Sequence, residues 1–188
     1  MAYSKKTPSS FQTEWHLLSR MGWEKGSPED KAMHLDCHGR SLLMVCVFHH
    51  DLFDLKFLTY LADLSKPILN HVDGHGQNAL TWALLYTKNA QQSRLPLIQM
   101  LLEKGVDPNQ VNRLGFSQAM VALYHYPEAL SLLVQHGADL DYYSPVLDKT
   151  IWQLSLEKDG LLARPYLEKA LLEKMPLANQ KSTILPRL

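Results

Sequence analysis

Among the side chains able to do chemistry in this 188-residue sequence, the nine histidines come first, and four of them form two pairs, His34 with His38 and His71 with His75. Both pairs have i, i+4 spacing, which on one helix would aim two imidazoles at a shared ion. The surrounding residues argue against a helix there. His34-x-Asp36-x-His38-Gly39 and His71-x-Asp73-x-His75-Gly76 are one string occurring twice, 37 positions apart. In each copy an Asp stands three residues before a Gly, the composition of a tight turn. The four histidines are therefore expected on turn surfaces, with no metal held. Cys37 beside His38 suggests a nucleophile and its base, but sequence neighbours in an exposed turn point apart and no pocket encloses them. Gly74-x-Gly76 lacks the third glycine and the preceding strand of a phosphate-binding loop. No catalytic residue and no cofactor are expected.

The bulk composition agrees. Hydrophobic residues make up 46% and charged residues 20%, and the formal net charge is zero, which describes a folded globular chain with one core or one stack. Phosphate binding relies on an excess of Lys and Arg, so no nucleic-acid partner is expected. The longest uninterrupted apolar run, Leu42–Phe48, is far short of the roughly 18 residues that cross a bilayer. The opening MAYSKKTPSSFQTEW has two lysines but no apolar run behind them, so neither a secretory leader nor membrane association is expected. Cys37 and Cys46 make no disulfide framework; a cytoplasmic location suits them.

What must position these residues is a set of landmarks that recur. LLEKGVDPN, Leu101 to Asn109, and LLVQHGADLD, Leu132 to Asp141, each place a Gly just past an apolar helix end, at Gly105 and Gly137, 32 residues apart. Glycine there takes the left-handed conformation that stops a helix. Gly39, Gly76 and Gly115 precede helix starts at intervals of 37 and 39, and Asp148 takes the glycine's place 33 residues later. Asp36, Asp73 and Asn112 each stand three residues before their glycine, and Ser41, Asn78, Ser117 and Thr150 occupy N-cap positions. Paired helices are expected over 42–49 and 54–61, 80–86 and 95–103, 118–125 and 128–135, and 151–158 and 165–174. Their connecting hairpins are expected to be short and free of sheet. Leu97, Ile98, Leu101 and Leu102, and likewise Leu130, Leu133 and Val134, fall on inner faces at helical spacing; Leu132 is expected in the same core. Trp82, Trp152 and Met120 are also read as core. Residues 87–92 (TKNAQQ) lengthen one turn, and Pro127 opens a helix where its missing donor does no harm.

These strings resemble the ankyrin repeats, whose pattern runs D-x-x-G-x-T-P-L-H-x-A-A, then a turn, then a second helix ending L-L-x-x-G-A-D-x-N. GADLD and GVDPN carry the match. The T-P-L-H tetrapeptide is replaced by Ser41-Leu42-Leu43-Met44, Asn78-Ala79-Leu80-Thr81, Ser117-Gln118-Ala119-Met120 and Thr150-Ile151-Trp152-Gln153. The resemblance implies an all-α solenoid of about four helix-turn-helix repeats over residues 35–175, divided at 35–70, 71–109, 110–141 and 142–175. A helix over 11–21 within residues 1–34 would cap the open end, and 176–188 would form a tail.

The resemblance also implies where a partner protein would dock, at turn tips and at the ends of first helices. Carried over residue by residue, the tips are His38 and Arg40, His75 and Gln77, Arg113, Leu114 and Phe116, and Leu147 and Lys149. The helix ends are Phe48 and His49, Leu85 and Tyr86, Tyr124 and His125, and Glu157 and Lys158, and Phe116 and Tyr124 are expected to face solvent in the free protein. The set is rich in the aromatic and Arg side chains that dominate interface hot spots. The function implied is non-catalytic protein binding. A stoichiometric inhibitor, such as a bacterial immunity protein for a cytosolic toxin, fits a lone binding module. An adaptor, or a secreted effector engaging a host protein, has the same sequence features. The rival of another class is a small metal enzyme built from the histidines.

Overall fold

In the computed structural model, residues 12, 16–18, 26–85, 94–157 and 159–174 are described. They are mostly helical: α1 Pro28–Met33, α2 Leu42–Phe48, α3 Leu55–Leu64, α4 Ala79–Leu85, α5 Leu95–Glu103, α6 Gln118–His125, α7 Leu130–Gln135, α8 Ile151–Leu154 and α9 Arg164–Lys174. Short 3-10 turns lie at Lys66–Ile68, Pro127–Ala129 and Leu161–Ala163. The chain divides into two compact units, residues 1–83 with 96–106, and residues 84–95 with 107–188.

All four N-caps form as their residue types dictate. The side chains of Ser41, Asn78, Ser117 and Thr150 accept from the backbone N–H of Met44, Thr81, Met120 and Gln153. Each satisfies an amide that the first helical turn leaves without a partner. α5 and α6 occupy the expected residues. The helix expected over 128–135 starts as the 3-10 turn at Pro127 and becomes α-helical only at Leu130.

In the first unit α1, α2 and α3 pack on one another around a core in which Leu42, Cys46, Val47, Phe57 and Leu61 are fully buried. α1 was not anticipated, although Ser27-Pro28-Glu29-Asp30 is a legible start: Ser27 and Asp30 form a reciprocal capping box and Pro28 opens the helix. Of the cap helix expected over 11–21, residues 12 and 16–18 are helical and Leu18 is buried; the remainder, with the tail 176–188 and the insertion 87–92, lies outside the described residues.

In the second unit α9 packs chiefly on α7, and α6 on α7 and α8. Three expectations are corrected here. First, the hairpin before α8 contains sheet: Tyr143–Ser144 (β1) pairs antiparallel with Lys149–Thr150 (β2), and Val111 makes an isolated bridge to Ser117. The expectation of sheet-free turns ignored that a two-residue arm on each side suffices for one pair of ladder bonds. Second, α8 ends at Leu154, short of 158. Leu156 and Glu157 turn to i−3 carbonyls, Ser155 Oγ donates to the Trp152 carbonyl, and the chain tightens out of the α-helix. Third, Leu132 is only half-buried, whereas Leu130 and Leu133 are fully buried.

The turns that carry the glycines share one hydrogen-bond pattern. The N–H of Asp36, Asp73 and Asn112 donates to the carbonyl of Arg40, Gln77 and Phe116, and Gly39, Gly76 and Gly115 donate back to the carbonyl of Asp36, Asp73 and Asn112. One side-chain oxygen then accepts twice: Asp36 from His38 and Arg40, Asp73 from His75 and Gln77, Asn112 from Leu114 and Phe116. The glycines sit at φ +72°, +74° and +82°, where a Cβ is disfavoured. Asp148 at φ +56° is the sole non-glycine with positive φ among the described residues. A second device also occurs twice: Asn70 Nδ2 donates to the Gly105 carbonyl, and Asn109 Nδ2 to that of Gly137.

Candidate functional site

In the first unit the turns at Asp36 and Asp73 bring four of their neighbours to one place. Asp36 Oδ1 is occupied by backbone amides, and Oδ2 receives Arg40 Nε at 2.7 Å and lies 2.6 Å from Nη2. Partial burial works to raise the Asp36 carboxyl. The bonds from Arg40 and from the backbone outweigh it and hold the group below the ordinary carboxylate value. Asp73 repeats the arrangement with a different donor: its Oδ2 accepts from Trp82 Nε1 at 3.1 Å. Trp82 is thereby turned so that Phe48 meets its ring edge-on at 5.2 Å, while the Arg40 guanidinium lies 6.0 Å from the ring centroid. His49 packs edge-on against Phe48 at 4.8 Å. Asp36, Arg40, Met44, Val45, Phe48, His49 and Trp82 line a cleft of about 190 Å³.

Trp82 corrects its core assignment. Helical spacing placed it inside, but it is half-buried and forms a wall of the cleft, as Trp152 is half-buried in its unit; Met120 is fully buried as expected. The signal that would have found Trp82 is Asp73, whose second oxygen needs a donor once the turn amides have taken the first.

Asp73 is 5% exposed, so its bonds have little competition from water. Asp73→Ala, which strips acceptors from two turn amides and the indole, is expected to destabilise the protein by about 2 kcal/mol. Asp73→Asn keeps the amide contacts, as Asn112 does naturally, and loses only the indole bond, so it is expected to cost about 1 kcal/mol. Urea unfolding with near-UV circular dichroism for the indole checks both; equal losses for the two variants would contradict this division of labour.

In the second unit Phe116 and Tyr124 meet edge-on at 6.1 Å and are half-buried, which corrects the expectation that both face solvent. Burial raises the Tyr124 hydroxyl above its usual value, and the negative charges of Glu157 and Asp159 push it further in that direction. Lys149 Nζ pairs with Glu157. Although His125 is exposed as a residue, partial desolvation of its ring and then the charge of Arg94 hold it below the ordinary histidine value. Leu114 and Val146 are each 66% exposed.

His38, His75 and Arg113 are exposed, Gln77, Leu85 and Leu147 are half-buried, and Tyr86 and Lys158 lie outside the described residues. Of the paired histidines, His71 is tied into the fold, its Nε2 2.9 Å from the Gly39 carbonyl. Among the described residues no group of three or more His, Cys, Asp or Glu side chains is placed to hold a metal. Cys37 is exposed, whereas Cys46 is fully buried and burial pushes its thiol well above the ordinary value. Among the described residues no helix is long and apolar enough to cross a membrane. No protein-family model matches the sequence, and no curated protein matches it significantly.

Proposed function

We propose that this chain is an ankyrin-type repeat protein whose function is to bind another protein through turn tips and first-helix ends, without chemistry of its own. The observation that carries the reading is the recurrence of one turn at Asp36, Asp73 and Asn112 with the same backbone and side-chain bonds, each followed by a capped helix. Elements that present equivalent tips, with Arg40, Phe48 and His49 in one cluster and Phe116 and Tyr124 in another, fit a module whose tips do the contacting. A stoichiometric inhibitor, of the kind that occludes a toxin's active site, is the form of this function we favour.

The test is affinity capture from the native cell with mass spectrometry, followed by measured affinities for the captured protein. Phe116→Ala with Tyr124→Ala is expected to weaken binding about 30-fold, since central aromatic anchors commonly contribute 2 kcal/mol or more. Because the two rings pack on each other, the double variant should also lose about 1 kcal/mol of stability. Glu103→Ala and Gln135→Ala, at exposed positions on second helices, are expected to bind normally. Loss of binding in these controls with retention in the aromatic pair would place the partner elsewhere.

A further inference from the structure

We propose that His71 is a positioning residue of the binding surface: its ring latches the tip of the first turn, His38-Gly39-Arg40, onto the second turn, so that the tip is fixed before any partner arrives. The proposal rests on the protein-binding reading, which puts His38 and Arg40 among the contacts, and adds how that tip is held.

Every backbone N–H and C=O of the tip has a partner. Most of these bonds stay inside the turn. The N–H groups of His38 and Arg40 donate to Asp36 Oδ1, that of Gly39 donates to the Asp36 carbonyl, and the Arg40 carbonyl accepts from the Asp36 N–H. The carbonyls of His38 and Gly39 are satisfied from the second turn instead. His38 accepts from the Gly74 N–H at 3.2 Å, and the Gly39 carbonyl faces His71 Nε2 at 2.9 Å. A carbonyl only accepts, so Nε2 must carry the hydrogen. Of these bonds, this is the one made by a side chain from another turn. A single substitution can therefore remove it and leave the first turn's own residues unaltered.

The residue type suits the task. His71 is half-buried, so water competes only in part for its Nε2–H, and a planar ring with few rotatable bonds loses little freedom in making the contact. Gln110 holds the same place before Asn112 in the third turn, which marks glutamine as a substitute that still carries a donor but has more freedom to lose. The tip presents Arg40, whose guanidinium is itself paired with Asp36 at 2.6 Å, so backbone and side chain are held together. A contact surface ordered in advance does not lose that freedom on association, and affinity gains by the cost avoided.

The test uses the full chain, ¹⁵N-labelled, and reads amide exchange with water by NMR, so no ligand is needed. In His71→Ala the amides of His38, Arg40 and Gly74 are expected to exchange about fivefold faster, the order of one lost hydrogen bond. The amides of Gly115 and Phe116, which make the equivalent turn bonds in the second unit, should keep their rates. His71→Gln should bring the first set back to within about twofold of the unaltered protein. Unchanged exchange at the tip in His71→Ala, or an equal rise at Gly115 and Phe116, overturns the proposal, the second by showing only a general loss of stability. One check needs no variant: the ¹⁵N shifts of the His71 ring in the unaltered protein should place the hydrogen on Nε2, and a neutral ring protonated at Nδ1 would sink the latch. Against the partner captured as above, His71→Ala should bind about fivefold more weakly and His71→Gln should recover most of the loss. If exchange behaves as expected but the partner binds His71→Ala as tightly as the unaltered chain, the positioning role falls and the binding reading stands on Phe116 and Tyr124. If no partner is captured, the binding reading falls and takes the positioning role with it, while the exchange rates alone decide the latch.

Discussion

Leu101→Ala is expected to destabilise the protein by roughly 2 to 5 kcal/mol, the cost of lost apolar transfer plus the cavity left behind. Leu101 has 0% of its surface exposed, and it lies on the same face of α5 as Ile98, also at 0%. Leu133→Ala should cost a similar amount, because Leu133 is likewise fully buried. Its neighbour Leu132 is the informative comparison: it is chemically identical and adjacent on α7, yet half-buried. Leu132→Ala should lose only about 1 kcal/mol, since a half-exposed leucine gives up part of its transfer free energy and leaves no closed void. The midpoints of urea unfolding order the three variants. If Leu132→Ala proved as damaging as Leu133→Ala, α7 would present a different face to its core from the one described.

The second large effect is expected at a glycine. Gly115→Ala should cost about 3 kcal/mol, the sum of two separable penalties. At φ +82° any Cβ meets the strain of the left-handed region, about 1 to 2 kcal/mol. The added carbon would also stand 2.5 Å from Ser144 Oγ and 2.7 Å from Val146 Cβ. Neither atom can retreat easily, because Ser144 is fully buried with its Oγ accepting from Leu147 N–H and Val146 is branched at the clashing carbon. Overpacking of this kind adds about 1 to 3 kcal/mol. Gly39→Ala isolates the first penalty. Its turn has the same hydrogen bonds and φ +72°, but the nearest atom to the new carbon, Gly74 N, is 3.6 Å away, an ordinary contact. It should therefore lose only about 1 to 2 kcal/mol. Equal losses at the two positions, measured by urea unfolding, would mean that the Ser144 to Val146 segment yields and that Gly115 is not held against it.

The turns were legible because their causes are local. An Asp or Asn that bonds the amides two and four residues on, a Gly one position past the tip, and a Ser, Thr or Asn before an apolar run all act within five residues of themselves. α5 and α6 were legible for a related reason: each joins a clear boundary signal to an apolar stripe, so propensity and burial agree. α8 failed this test. Its pattern ran on to residue 158, but Ser155 bonds back to Trp152, and a Cβ on Gly160 would stand 2.2 Å from the Leu154 carbonyl, a close approach that no local signal announces.

At the candidate site the same division holds. The residue types and their repeated order marked Arg40, Phe48, His49, Phe116 and Tyr124, and the Asx turn at Asp73 was readable down to which side-chain position makes the turn. The sequence by itself thus determined where the chain turns, where helices start, and which side chains stand near the tips. Only the tertiary structure decided how deep each side chain sits and what it faces. It withdrew Phe116 and Tyr124 from solvent onto each other, brought Trp82 out of the core to Asp73 Oδ2, and made a cleft of Trp82, Phe48 and Arg40. The physical reason is that hydrophobic periodicity reports which side of a helix is apolar, whereas burial depends on which element lies across from it, and that is set by contacts between residues far apart in the chain.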